Sequence, residues 1–351
     1  MFLAYKEMKF NKLKFSLIIL LIVLITYLVY FLTALAYGLA SSYTNGLDKT
    51  KTNYIVLSEN ANDNIMMSVL TDKEFNLVNG HEAKEKLGLF PAVIFNNNIT
   101  NKDTKEEVYV FGIENISFFI PGETKALKEN EIIVDSKLKS LGYEIGHEIG
   151  FSNSEMKLKI VGFTNNSTYQ TAPIIYANLQ TWKNYRFNQQ TTEGYFNAIF
   201  IKGEKNNVEG LTFYSLSEFA YKLPGYSAQV LTFSLMIVFL IVIIAFVLGI
   251  FIYVLTIQKS SMFGVMKAQG ISNLYIGSSV VIQTILIVFI GALIGFILTI
   301  ISVFALKSKV PLASNYYFYL YTTLAFFMFA VLGGVFSVKS IIKIDPLKAI
   351  G

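Results

Sequence analysis

The hydrophobic pattern along the chain is of two kinds. Four runs, 15–38, 229–257, 275–306 and 316–338, contain no Asp, Glu, His, Lys or Arg, and each is long enough to cross ~30 Å of hydrocarbon as a helix. Between the first two, residues 39–228 show short apolar runs broken by Asn, Gly and Pro. Tyr54–Ser58, Val108–Ile113, Glu131–Asp135, Met156–Gly162 and Pro173–Tyr176 have the β-branched and aromatic content of short strands. Asp72–Gly88, Ser136–Leu141 and Asn178–Tyr185 read as helices. The pattern predicts a membrane protein of four transmembrane α-helices, with a large α/β domain between helices one and two. In chain order it gives an N-terminal segment 1–14, span one at 15–38, the domain 39–228 and span two at 229–257. A connector 258–274, span three at 275–306, a loop 307–315, span four at 316–338 and a tail 339–351 follow.

Composition agrees with that plan and charge orients it. The 351 residues are 53% hydrophobic and 15% charged, outside the balance of a soluble domain. The net charge of +5 is uneven: residues 39–228 hold 18 Lys/Arg against 22 Asp/Glu, leaving 11 basic and 2 acidic residues elsewhere. The surplus lies at the membrane flanks, so a lipid membrane is expected as a partner and nucleic acid is not. Lys6, Lys9, Lys12 and Lys14 precede span one, Lys259 and Lys267 separate spans two and three, and Lys339, Lys343 and Lys348 follow span four. Four spans threaded in order put all three groups on one side, which makes both termini cytoplasmic and 39–228 extracytoplasmic. Lys9, Lys12 and Lys14 before an apolar run ending in Ala34-Leu35-Ala36 also fit a signal peptide. The run exceeds the ~7–15 residues of a signal core, so a retained helix is expected.

The chemistry available is limited. There is no Cys, hence no disulfide and no thiolate, and the two histidines, His81 and His147, are far apart in sequence. No catalytic residue and no metal site is expected. Ion-coupled transport needs ionisable groups within the spans, and these spans have none. The chain also lacks a G-x-x-x-x-G-K-[ST] loop, since Gly-Lys occurs nowhere in it. A transporter of this kind would draw on ATP through a partner.

The connector is where a partner would dock. Met262, Val265, Met266 and Gln269 share one helical face, and Gly270 is placed to end the helix. Gly264-Val265-Met266-Lys267-Ala268-Gln269-Gly270 resembles the G-(I/V)-(L/M)-K-A-x-G signature after span two of MacB and FtsX-like ABC transporter permeases. The tail Asp345-Pro346-Leu347-Lys348-Ala349-Ile350 is similar to their D-P-(V/I/L)-x-A-(L/I) ending. Asn130–Val134, Ser136–Gly146 and Lys159–Gly162 resemble their extracytoplasmic strand, helix and turn pattern. Two positions depart from it: Met262 and Lys348 stand where many members carry an acidic residue. Tyr253–Lys259 and Met1–Ala4 look most like the HrtB-type haem exporter permeases of Gram-positive bacteria.

The resemblance implies a MacB-like, type VII ABC exporter architecture in a bacterial cell membrane. It implies a permease homodimer and a separate, HrtA-like ABC ATPase subunit contacting Met262, Gly264, Val265, Met266, Lys267, Gln269, Gly270, Asp345 and Pro346. The function implied is haem efflux with no permanently bound cofactor, haem being the substrate, and a sensor kinase is a further companion to look for. Two alternatives stay open: an FtsX-like mechanical transmitter acting on an outer hydrolase or sensor, and a MacB-like exporter of antimicrobial peptides or other amphipathic compounds.

Ferric haem accepts Tyr or Met as an axial ligand. Candidates near the outer membrane boundary are Tyr226 before span two, Met236 in its first turns, Tyr37 and Tyr43 at the exit of span one, and Tyr169 if its turn folds down to the membrane. HrtB-type chains resemble this one in a tyrosine at Tyr169 and Tyr226. Interfacial anchoring is the ordinary alternative for the tyrosines and packing for Met236. Tyr27, Tyr30, Ala34 and Tyr37 form a stripe on span one that faces a second copy, lipid or the chain's own helices. Gly291, Gly295, Gly333 and Gly334 read as close-packing positions.

Overall fold

The computed structural model describes residues 6, 9–79, 82–96, 105–152, 154–187, 194–307 and 310–342, of which 337–342 through the backbone alone. Contacts divide the chain into a sheet unit, 39–230, and a helical unit, 1–38 with 231–351. His81, Asp345, Pro346, Lys343 and Lys348 lie outside the described residues.

The first helix, α1, runs Lys12–Asp48, ten residues past the predicted end of span one. In the sheet unit β1 is Tyr54–Ser58, followed by α2, Asp72–Leu77. The helix predicted at Asp72–Gly88 stops there, and the chain re-enters extended backbone at Val78. From Ala83 to Asn96 it is a strand, β2, paired with a later strand from Ala83↔Lys202 to Leu87↔Ala198. Ala-Lys-Glu-Lys favours a helix locally, but long-range pairing overrides so weak a preference. Next come β3 (Glu106–Ile113), α3 (Ile116–Phe119) and β4 (Glu131–Asp135). The helix predicted at Ser136–Leu141 contracts to one tight turn, Leu138–Leu141, closed by Gly142. Then follow β5 (Glu148–Phe151), β6 (Ser154–Thr164), β7 (Thr168–Tyr169) and β8 (Ala172–Asn178). The unit ends with α4 (Leu179–Phe187), β9 (Ala198–Lys202), β10 (Leu211–Ser215) and α5 (Leu216–Lys222).

The strands form one sheet in the order β10-β1-β9-β2-β3-β8-β4-β6-β5, with β7 beside β8. Strand β2 carries the closure: its first half pairs with β9, and its last residues pair with β5 through Ile94↔Phe151 and Asn96↔Ile149. The path β2-β3-β8-β4-β6-β5 therefore returns to β2 as a ring. Both faces are covered. One core holds Ile94, Val110, Ile132, Ile160 and Trp182, the other Leu57, Phe111, Phe119, Tyr176 and Phe219. Sealing on both sides explains why strands such as Ile132–Asp135 are buried at consecutive positions where a half-exposed sheet would alternate. Trp182 from α4 lies flat on β2 and β3, at two glycines where a Cβ would come within 2.4 Å of it, Gly88 and Gly112.

The helical unit contains α6 (Tyr226–Gln258), α7 (Ser260–Ala268), α8 (Asn273–Leu306) and α9 (Tyr316–Ile342). With α1, α6, α8 and α9 are long and apolar enough to cross a membrane. The α1 and α8 backbones meet closely: a Cβ on Gly295 would come 2.9 Å from the Tyr27 backbone nitrogen, and Thr26 Oγ1 donates to the Gly291 carbonyl at 3.2 Å. The tyrosine stripe of α1 is used inside the chain. Tyr27 bonds Ser302 at 3.0 Å, and Tyr30 bonds Thr323 at 2.6 Å within a ring of Phe296, Tyr319 and Phe326. Ala34 accepts from Ala313 N, and Tyr37 stacks edge-on with Phe318. Helix α6 is the least covered, 17% buried over its apolar window against 39% for α1 and for α8.

Candidate functional site

The structure brings two of the candidate tyrosines together. Tyr43, near the C-terminal end of α1, and Tyr226, the first residue of α6, meet edge-on with centroids 5.6 Å apart. Tyr221 closes on Tyr226 from the other side at 5.4 Å and is 56% exposed. It comes from α5, whose start is fixed by a reciprocal cap between Ser215 and Glu218. Pro224 and Gly225 (φ +81°) then turn the chain into α6, setting Tyr221 and Tyr226 side by side. Sequence reasoning missed Tyr221; the signal was its five-residue offset from Tyr226 across a Pro-Gly turn. The cluster offers phenol oxygens, a donor class ferric iron accepts, beside flat aromatic faces.

Tyr169 is placed differently from the expected membrane-facing turn. It belongs to β7 and is fully buried, packed edge-on against Tyr109 at 4.9 Å and Phe111 at 5.9 Å. Burial drives its phenol far above the usual tyrosine value. Gln170 lies alongside, yet the enclosed hydroxyl has no well-formed hydrogen bond. As folded, Tyr169 presents no oxygen to an incoming porphyrin, because the apolar residues of β3 and β8 need its ring to complete their core. Tyr37 and Met236 belong to the helical unit, Met236 41% exposed.

The turn carrying Tyr169 clasps the end of α1. Gln170 N donates to the Tyr43 carbonyl at 3.0 Å and Thr171 N to Ser42 at 3.1 Å, with both turn residues at positive φ. Lys49 Nζ reaches Ser167 Oγ at 2.7 Å and Thr164 Oγ1 at 3.0 Å. Beneath it, buried Asp135 accepts from the Ser167 N–H at 2.6 Å and the Lys137 N–H at 2.8 Å. Burial raises the Asp135 carboxyl and lowers the Lys49 ammonium, each partly offset by the other's charge. Within the sheet unit, the clasp ties residues 42–49 to the sheet.

The connector folds as the short helix α7. Phe263 and Gly264 turn inward, while Met262, Val265 and Gln269 are exposed and Met266 and Lys267 are half-buried. Gly270 (φ +85°) ends it: its N–H donates to the Lys267 carbonyl at 2.9 Å and the Ile271 N–H to Met266 at 3.0 Å, a Schellman closure. Lys259, at the joint between α6 and α7, donates to the buried Gln283 Oε1 of α8 at 2.9 Å. That contact ties the connector to the third long helix. His147 accepts from the Glu144 N–H at 3.3 Å and contacts the Asn96 amide at 3.2 Å. Among the described residues no group of three or more His, Cys, Asp or Glu gathers as for a metal ion.

Comparison with known proteins places this architecture. Residues 234–346 match the FtsX-like permease C-terminal family. Over 99% of its length, and 99% of theirs, the chain is 26% identical to proteins of Staphylococcus haemolyticus (strain JCSC1435) and Staphylococcus epidermidis (strain ATCC 12228 / FDA PCI 1200), both named for a hemin transport system permease, HrtB. Among solved structures, the periplasmic region of MacB from Actinobacillus actinomycetemcomitans aligns at a TM-score of 0.34 and 9% identity, covering 50% of this chain and 92% of that one. The extracellular domain of the ABC-type transporter YknZ from Gram-positive bacteria aligns at 0.32 and 10%, covering 47% and 100%. Residues 234–346 thus match an FtsX-like permease C-terminal region, in a chain with four helices long and apolar enough to cross a membrane and full-length similarity to permeases named HrtB.

Proposed function

We propose that this permease exports haem from the membrane, as the transmembrane half of an ATP-binding cassette efflux system that protects the cell from surplus haem. The observation that carries the reading is end-to-end similarity to HrtB-named permeases, in a chain whose Tyr43, Tyr221 and Tyr226 converge. An HrtA-like ATPase would dock on the exposed Met262 and Val265 of α7 and Gln269 just after it, with the tail residues Asp345 and Pro346 as further contacts. Both termini then lie in the cytoplasm and 39–228 outside. A homodimer fits the open face of α6, where Leu235, Phe239 and Phe246 are exposed. Haem is the cargo, reached from the lipid, and Tyr226 or Tyr43 is the proposed iron ligand.

The test is a haemin titration of the purified permease followed by absorption. Wild type should shift the Soret band. Tyr226→Phe or Tyr43→Phe should weaken binding about tenfold or more, the ~1.4 kcal/mol or greater expected for one lost ligand. Tyr169→Phe should leave the spectrum unchanged, its hydroxyl being enclosed. No Soret shift in the wild type would remove haem as cargo. Capture of a wall hydrolase by residues 39–230 in that circumstance would favour the mechanical reading.

A further inference from the structure

Where α1 begins, the helix is amphipathic in a particular way. Lys6, Lys9, Phe10 and Asn11 form one wall of an open groove, and Lys259 and Met262, at the start of the connector helix, form the other. Its volume is about 670 Å³, within the range of small-molecule clefts. Lys9 is exposed and, among the described residues, has neither ion-pair nor hydrogen-bond partner. A stripe of exposed apolar residues leaves the groove along α1: Phe10, Leu13, Leu17, Leu20 and Leu24, at 90, 77, 59, 60 and 62% exposure. Ammonium groups at one end and a continuous apolar track rising from them match the two ends of an anionic amphiphile.

We propose that this groove binds the phosphate headgroup of an anionic phospholipid, with an acyl chain lying along the leucine stripe. Charge chooses the occupant. A second copy packed in parallel on the same stripe would bring Lys9 of both chains together without counter-charge, which is repulsive in a low-dielectric seam. Free phosphate would satisfy the lysines and leave the track uncovered. An anionic lipid satisfies both, and juxtamembrane lysine clusters attract such headgroups at ~1 kcal/mol per lysine. Lys259 gives the site a consequence, because the ammonium lining the groove also holds Gln283 of α8 at 2.9 Å. A headgroup would therefore bear on the joint between the connector and the third long helix.

The experiment is native mass spectrometry of the detergent-purified full chain with phosphatidylglycerol, with phosphatidylcholine of matched chains, and with phosphatidylglycerol competed by inorganic phosphate. Phosphatidylglycerol should be retained and phosphatidylcholine not. Lys6→Gln/Lys9→Gln should weaken retention about 25-fold, fivefold per lysine, and Leu17→Ser/Leu20→Ser should weaken it as well. Lys12→Gln/Lys14→Gln, outside the groove, should change it by less than about twofold, being screened by solvent. Equal losses in the two lysine pairs would reduce the effect to general surface charge and overturn the site. Displacement by inorganic phosphate, or no response to the leucine changes, would overturn the lipid as occupant. None of these readouts involves haem, so the outcome is independent of the cargo proposed above.

Discussion

The two units of this chain use apolar residues in opposite ways. In the sheet unit the sheet closes on itself and both faces are roofed, so Ile132, Val134, Ile175, Ile199 and Phe200 are all without exposure. In the helical unit only inner seams are buried, while Leu17, Phe239, Phe246 and Phe304 face outward. The sheet unit carries water-facing charge and a dry interior; the helical unit is apolar in its seams and on its outer face, and needs hydrocarbon to complete it. One consequence concerns polar groups. The buried hydroxyls of the helices mostly return to their own backbone, as Thr26 to Ile22, Thr33 to Val29 and Thr299 to Gly295. In the sheet unit buried polar groups join distant segments, as Asn197 does between the Leu89 N–H and the Ser68 carbonyl. Side-chain hydrogen bonds between distant segments thus stitch the sheet unit together, whereas α1 and α8 are joined by close approach of their backbones, with cross-helix bonds such as Tyr27 to Ser302 beside it.

Substitutions separate these two modes of cohesion. The largest effect is expected from Trp182→Ala. The indole is 1% exposed and fills the space over Gly88 and Gly112, so its loss should cost ~3–5 kcal/mol of sheet-unit stability. Far-ultraviolet circular dichroism during denaturant titration would read the loss as an earlier β-unfolding step, with the helical signal retained in detergent. A cost below ~1 kcal/mol would mean that the sheet collapses around the gap. Gly295→Val should follow at ~1–3 kcal/mol, because its added methyls meet Thr26 and the Tyr27 backbone. Its effect should fall on the helices alone, as lower resistance to sodium dodecyl sulfate. Trp182, the single tryptophan, should meanwhile report an unchanged sheet-unit transition by fluorescence. A shift in that transition would join the units energetically and weaken the contrast.

The sequence revealed the two units unequally, for the same physical reason. Charge-free runs of more than twenty residues have one stable solution in hydrocarbon, so four long helices could be read directly, as could the role of Gly270 in ending α7. Strands need partners that composition does not name. Ala83–Leu87 looked helical because most of its extended-state support comes from β9, more than a hundred residues away. β10 was missed for the same reason, its register resting on β1. The site was legible residue by residue and illegible as a group. Tyr43 and Tyr226 were named as candidates, but nothing local indicated that they touch. Tyr169 looked like a loop residue because β7 is two residues long and held by β8. The aromatic stripe of α1 left a second copy, lipid and the chain's own helices open, and Thr323 and Ser302 take two of its hydroxyls.

The smallest expected effect is a pH dependence confined to the sheet unit. Lys222 donates to Asp63 at 2.7 Å, and Tyr214 also donates to that carboxylate. The hydrogen bond from Lys222, then that from Tyr214, holds the Asp63 carboxyl below its ordinary range. A carboxylate depressed in the folded state stabilises the fold at pH values above its unfolded pKa, near 3.9, and loses that contribution as pH falls through the lower folded value. Both partners are about 40% exposed, so solvent screening limits the gain to less than ~1 kcal/mol. Trp182 fluorescence in denaturant should therefore show a slightly lower midpoint at pH 3 than at pH 5. Asp63→Asn should lower the pH 5 midpoint and remove its share of the difference. The helical unit has no such pair in its apolar windows, so helix unfolding in detergent should not follow Asp63. An unaltered pH response in Asp63→Asn would move the acid sensitivity elsewhere in the sheet unit and leave the α5 end of the tyrosine cluster held by packing alone.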